Sequence, residues 1–343
     1  MRAAQVAAYG KPVSVNEVAE PELRDPTDVI VRVAGAGVCR TDVHIVHGEL
    51  AEAFHPELPL TLGHENSGWV HAVGPAVAHL SVGDPVIVHP AVTCGHCRGC
   101  RSGNDMHCRS WRFPGVDGWP GGFAELLRTD ARALVRLPDG TDPAPLAPHA
   151  DAGVTAMHAV RRLAPYTRPD STVVTFGAGG VGQIALQLLR LLTPARIVVV
   201  EIDPVRAEAA RRLGAHTVLE LPAAAAAEAV REITDGFGAS VVLDLVGEGE
   251  VPGHAFSALA KGGVYSIVGY GGSVRIEHLD MINRELTILG NQIGSYPDLV
   301  ALIDLVARGL VTIDSTLFPL DAVGDVLHDV EAGRVSGRAV LVP

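Results

Sequence analysis

The chain has 343 residues, 48% hydrophobic and 19% charged, with a formal net charge of −12. That length exceeds one ordinary core and the composition excludes disorder, so two folded domains are expected. The acidic balance excludes nucleic acid and anionic membranes as partners, and no run of about 18 apolar residues reads as a membrane span.

The opening "MRAAQVAAYG" lacks the apolar core of a signal peptide. Up to about residue 150, short alternating runs such as "DVIVRVAGAGV" and "SVGDPVIVHP" sit between Gly and Pro, which predicts a β-rich domain over 1–150. Beyond it, strand-like and helix-like segments alternate. "STVVTF" at 171–176 precedes a helix from about Gly180, and "RIVVVEI" at 196–202 precedes "PVRAEAARRLG", with Pro204 in the first turn and Gly214 at the C-cap. "TVLEL", an alanine-rich surface helix "PAAAAAEAVREIT", "SVVLDLVG", "GVYSIVGY" and "LTILGNQI" continue the alternation. These six strands with helical connections predict an α/β domain over 151–290, a doubly wound parallel sheet of the Rossmann type. Residues 291–343 add an amphipathic helix, "PDLVALIDLVARG", and a strand, "GRAVLV".

"FGAGGVGQIALQLL" sets Gly177, Gly179 and Gly182 between a strand and a helix. In this G-x-G-x-x-G spacing the first glycine turns tightly, the second admits a pyrophosphate and the third lets helix pack on strand. Glu201 follows 19 positions after Gly182, where a carboxylate accepts ribose hydroxyls and repels a 2′-phosphate. NAD is therefore expected over NADP. Asp203 is the rival for the ribose, and Arg206 could reach a 2′-phosphate.

"CGHCRGCRSGNDMHC" places Cys94, Cys97, Cys100 and Cys108 in a C-x2-C-x2-C-x7-C array, within a lobe of about 91–112. Four thiolates so spaced fit a closed, structural zinc site; an iron–sulfur cluster would also accept them, though nothing nearby suggests electron transfer. Five cysteines, four of them bunched, fit reduced thiols, and the chain is expected to be cytoplasmic.

The fifth cysteine, Cys39, stands in "GVCRTDVH". That segment, "LTLGHENSGWV", the cysteine lobe, "FGAGGVG" and the closing "PLDAVGDVLHDVEAGRVSGRAVLV" resemble, in order, the zinc-dependent alcohol dehydrogenases of the medium-chain dehydrogenase/reductase family. The resemblance implies a GroES-like catalytic domain to which 291–343 returns. It makes Cys39 and His64 ligands of a catalytic zinc, with Glu65 able to approach the metal. Where the family commonly has cysteine before A-G-V-T, "APHADAGVT" has Asp151. Carboxylate is an accepted zinc ligand, and the exchange conserves charge. Asp151 is the expected third ligand, with His149 as the competitor. Relatives carrying Asp here often act on secondary alcohols.

By the same resemblance Thr41 takes the proton of the alcohol and His44 passes it towards solvent, while Asp42 fixes the tautomer of a ligand imidazole. Arg40 and Arg338 match positions near the cofactor diphosphate. Gly180, Val181, Val246, Val268 and Ile293 complete the expected cofactor contacts, and His47 is a loop histidine without a role. The expected activity is reversible NAD-linked oxidation of a primary or, in preference, secondary alcohol, held on zinc as its alkoxide, with two Zn²⁺ per subunit. Trp111, Phe113 and Trp119 in one loop suggest an apolar or aryl substrate, unless they only cover the zinc lobe. A polyol dehydrogenase and an NADP-linked aldehyde or ketone reductase remain as alternatives. The site is expected in the cleft between domains, and relatives suggest a homotetramer, else a dimer.

Overall fold

The computed structural model describes residues 1–343. The chain divides into two compact units, one made of Met1–Val154, Ser295–Gly309 and Asp314–Pro343, the other of Thr155–Gly294 and Leu310–Ile313.

The first unit is β-rich. Its main sheet has seven strands, built around Asp28–Gly37, which pairs antiparallel with Glu65–Val73 on one side and with Leu126–Asp130 and Arg338–Val342 elsewhere along its length. Nine of the ten residues of Asp28–Gly37 are buried, as expected of a strand covered on both faces. This strand leads straight into the helix Arg40–His47, and Glu65–Val73 begins one residue after His64. The two pair as Gly37 with Glu65, so the register alone brings Cys39 and His64 together. A loop closed by the antiparallel bridge Val92–Arg112 carries the four clustered cysteines.

The second unit holds six parallel strands in the order Thr217–Leu219, Arg196–Val200, Thr172–Phe176, Ala239–Asp244, Leu259–Ile267, Thr287–Gly290. Thr172–Phe176 is buried throughout, which its β-branched composition suits. The chain runs from it outward in one direction and then returns to build the other half, so the strand order reverses beside it. Ligands of such sheets bind beyond the carboxyl ends of the strands at that reversal. The alanine-rich run forms the helix Ala223–Ile233, and one face of it, Ala226, Ala227 and Val230, packs into the core with Val198, Val242 and Tyr265. No helix is long and apolar enough to cross a membrane.

Candidate active site

Cys39 caps the helix Arg40–His47, and its backbone N–H donates to Asp42 Oδ2 at 2.8 Å. Asp42 is fully buried and turns its other oxygen to His64, where Oδ1 lies 3.3 Å from Nδ1. On the far side of the ring His64 Nε2 lies 3.4 Å from Asp151 Oδ2, and Cys39 Sγ lies 4.0 Å from the same oxygen. Ligand atoms of Cys39, His64, Glu65 and Asp151 all fall within 4.8 Å of one another. His149 is buried two residues from Asp151 but is not among them; burial lowers its imidazole to about 4 and keeps it neutral.

The arrangement suits a cation. Both His64 nitrogens, Asp42 Oδ1 and Glu65 Oε2 are buried without a hydrogen-bond partner, because the contacts to His64 are close but poorly aligned. Buried polar atoms left so cost free energy unless something else satisfies them. Burial works against a charged His64, yet Asp42, Asp151 and Cys39 outweigh it and raise its proton affinity well above the ordinary imidazole value. A positive charge is thus favoured among a cysteine sulfur, an imidazole and a carboxylate, the donor types that zinc accepts. Asp42, behind His64, can fix its tautomer.

Around this cluster stand the other expected residues. Thr41 Oγ1 lies 3.6 Å from Cys39 Sγ. His44, one helical turn on, places Nδ1 against Glu49. The Arg40 guanidinium reaches the carbonyl of Glu331 at 3.4 Å, and His47 Nε2 lies 2.9 Å from Glu331 Oε1. Arg338 Nη2 donates to Glu65 Oε1, which also accepts from the backbone of Ala152 at 3.2 Å. Sequence spacing could not show that pair, since 273 positions separate its members. Phe113 packs edge-on against the His64 ring at a centroid distance of 5.4 Å, with Trp111 at 5.6 Å and Phe54 at 6.5 Å behind it. The loop aromatics therefore divide: Trp119 lies instead beneath Arg128, at 5.2 Å. Phe54 was not anticipated; its only signal was an aromatic in an otherwise small and polar stretch.

In the lobe, Cys94 Sγ and Cys97 Sγ lie 4.0 and 3.5 Å from Cys100 Sγ, and the four sulfurs lie within 4.8 Å of one another. Amides of His96 and Cys97 hold the Cys94 thiol down to about 6, and the amide of Cys100 lowers Cys97. Burial pushes Cys100 up to about 11. N–H groups aimed at sulfur favour thiolate, as metal ligation requires.

In the second unit the three glycines fill three different roles. Gly177 has φ of +95°, and a Cβ there would stand 2.9 Å from Val246 Cγ2. A Cβ on Gly182 would strike the Gly177 carbonyl oxygen at 2.5 Å, whereas one on Gly179 would meet nothing within 4 Å. Space thus remains at the helix N-terminus, where Gly179 caps Gly180–Leu192 and Gly180 and Val181 form its first turn. Glu201 is buried at the end of Arg196–Val200; its Oε2 accepts from Ala178 at 2.8 Å, and Oε1 from Ile202 and Asp203 at 2.9 and 3.0 Å. It fastens the glycine turn as well as standing where a ribose is expected. Asp203, its rival, caps the next helix by accepting from the Arg206 amide at 2.9 Å. Val246 and Val268 follow adjacent strands at their carboxyl ends, and Ile293 takes a left-handed φ of +49°, strained for a β-branched residue. Alanine at Gly177 should raise the NADH dissociation constant roughly tenfold, through positive-φ strain and the Val246 clash. Fluorescence titration checks this, and unchanged affinity would remove the turn from the binding site.

Residues 25–139 match the alcohol dehydrogenase GroES-like domain, and residues 180–308 the zinc-binding dehydrogenase domain. An alcohol dehydrogenase of Geobacillus stearothermophilus is 33% identical over 345 residues, covering 99% of each chain. The D-arabinose 1-dehydrogenase (NADP(+)) of Saccharolobus solfataricus is 34% identical over 348 residues, covering 100% of this chain and 97% of its own. The crystal structure of the alcohol dehydrogenase of Aeropyrum pernix superposes with a TM-score of 0.97 at 41% identity, each chain fully covered. The fold, a GroES-like domain plus a Rossmann domain, is the one these proteins share, and the chain is an oxidoreductase. It belongs to the zinc-dependent alcohol dehydrogenases of the medium-chain dehydrogenase/reductase family.

Proposed function

We propose that the protein oxidises secondary, apolar or aryl alcohols reversibly to ketones with NAD, using one catalytic and one structural zinc per subunit. The observation that carries this reading is the Cys39–His64–Asp151 cluster, a three-ligand set beside an aromatic wall. Zinc held there would polarise the substrate oxygen and lower its pKa. Cys39 and Asp151 supply two negative charges that balance the metal ion, and Asp42 holds His64 in place. Thr41, beside Cys39, takes up the alcohol proton, and His44, paired with Glu49, hands it towards solvent. Phe113 shields His64 from water and offers an apolar surface, which supports a substrate with a ring or branched chain over a polyol. Glu201 supports NAD, since a 2′-phosphate would meet its buried carboxylate.

One relative, named D-arabinose 1-dehydrogenase (NADP(+)), supports a second reading, sugar oxidation with NADP. Comparing NAD with NADP, and 1-phenylethanol and 2-butanol with arabinose, separates the two. The expected result is at least a tenfold preference for NAD, the size of about 1.4 kcal/mol, and for the simple alcohols; preference for NADP and the sugar would replace this reading. The reading extends to the cytoplasm, where unpaired cysteines stay reduced, and to a homotetramer, or else a dimer.

A further inference from the structure

Asp244 ends the strand Ala239–Asp244 and is fully buried. No cation pairs with it, yet every side of the carboxylate is used. Oδ1 accepts from the backbone of Val246 at 3.0 Å and of Gly247 at 2.9 Å. Oδ2 accepts from the hydroxyl of Tyr265 at 2.6 Å, a short bond between two buried groups. The backbone oxygen of Asp244 accepts in addition from Val268 at 3.0 Å and Gly269 at 3.1 Å. One residue thereby holds the turn after its own strand and the turn after the neighbouring strand.

These two turns touch through backbone. A Cβ on Gly247 would stand 2.0 Å from the Gly269 carbonyl carbon, and one on Gly269 would stand 2.4 Å from that of Val246. The first turn abuts the glycine-rich turn as well, through Val246 against Gly177 and Leu245 against Gly182. Three backbone segments meet at the carboxyl end of the sheet where strand order reverses, and Asp244 is the buried group that ties two of them together. Burial, helped by the carboxylate beside it, pushes the Tyr265 phenol well above its ordinary value, so it remains a donor.

We propose that Asp244, clasped by Tyr265, is the positioning residue of the dinucleotide crevice: it holds the turn of Val246 against the glycine-rich turn and ties the turn of Val268 to it, so that the cofactor binds to turns already in place. The inference rests on the dehydrogenase reading above for the identity of the ligand. Asp244 does not touch the cofactor; it acts through the two turns. Removing the Tyr265 hydroxyl leaves a buried carboxylate oxygen without its donor, and the nearest parts free to shift are the turns it holds.

The test compares wild type with Tyr265→Phe, Asp244→Asn and Asp244→Ala, all zinc-loaded. NADH titration, steady-state kinetics, zinc content and hydrogen exchange over 245–249 and 268–272 are measured on each. For Tyr265→Phe the NADH dissociation constant should rise about tenfold, with the alcohol KM, kcat at saturating NAD and zinc content within about twofold of wild type. Exchange in the two turns should accelerate while that of Thr172–Phe176 stays put. Asp244→Asn, whose amide oxygen still accepts from Val246 and Gly247 and whose NH₂ can donate to Tyr265, should stay within about threefold of wild type, and Asp244→Ala should be weakest. NADH affinity equal to wild type in both Tyr265→Phe and Asp244→Ala, with only a lower melting temperature, would overturn the proposal. A wild-type protein that binds neither NADH nor NADPH would instead defeat the dehydrogenase reading, and the exchange data would still decide whether Asp244 holds the turns.

Discussion

Asp151→Ala should lower zinc from two to one per subunit and reduce alcohol oxidation at least about 10³-fold, because a catalytic metal supplies several kcal/mol and each 1.36 kcal/mol is tenfold in rate. Asp151 Oδ2 is the atom on which Cys39 Sγ and His64 Nε2 converge, at 4.0 and 3.4 Å. Without it Cys39 and His64 remain, beside a Glu65 already held by Arg338 and the Ala152 amide, and one thiolate with one imidazole gives zinc neither tetrahedral geometry nor neutrality. Stability should change little by comparison, since the same substitution relieves the repulsion between Asp151 and the buried Glu65 carboxyl. Asp151→Cys, which restores an anionic ligand, should recover the second zinc and much of the activity. Elemental analysis beside a steady-state assay decides the matter. Two zincs in the alanine variant would mean that the carboxylate is not a ligand.

Arg338→Met should destabilise the protein by about 3–5 kcal/mol, the penalty typical of stripping one partner from a buried ion pair. The Glu65 side chain is completely buried and that of Arg338 is 11% exposed, so water cannot take the place of either. Burial pushes the Glu65 carboxyl up and Arg338 pulls it back down, the two opposing effects of a buried pair. Left alone, Glu65 must take a proton or keep an uncompensated charge, beside an Asp151 carboxylate that repels it. The double variant Arg338→Met/Glu65→Gln should recover a large part of the loss, because neither charge then remains unpaired. Thermal denaturation gives the readout, with a fall on the order of 10 °C for the single variant. Equal melting of wild type and Arg338→Met would show that the pair contributes nothing.

Local patterning carried most of the architecture. Alternating βα segments led to the six-stranded parallel sheet, and the glycine spacing marked its first turn, because both depend on residues within about thirty positions of each other. Cys39, His64 and Asp151 were legible only through the ordered family resemblance: a lone cysteine and a lone histidine carry no local sign of meeting. The pairing of Gly37 with Glu65 that joins them is a register, set by which faces are buried and not by any motif. Phe54 on Phe113, Arg338 on Glu65 and Tyr265 on Asp244 escaped sequence reasoning for the same reason. Glu201 was expected at a ribose, and its grip on the Ala178 amide could not be read from spacing.

The strand Arg338–Val342 sets Val340 against Gly37 and Leu341 against Ala36, so the segment leading to Cys39 gains its neighbour from the far end of the chain. During synthesis at 5–20 residues per second, roughly 15–60 s separate the emergence of Cys39 from that of Arg338. The second unit is nearly continuous, from Thr155 to Gly294, and can collapse while the ribosome is still working. The first must wait for its main sheet to be completed, with Glu65 lacking its guanidinium meanwhile. The order of synthesis thereby separates the two units in time: the segment before Cys39 acquires its last strand neighbour only after the whole of Thr155–Gly294 has been made.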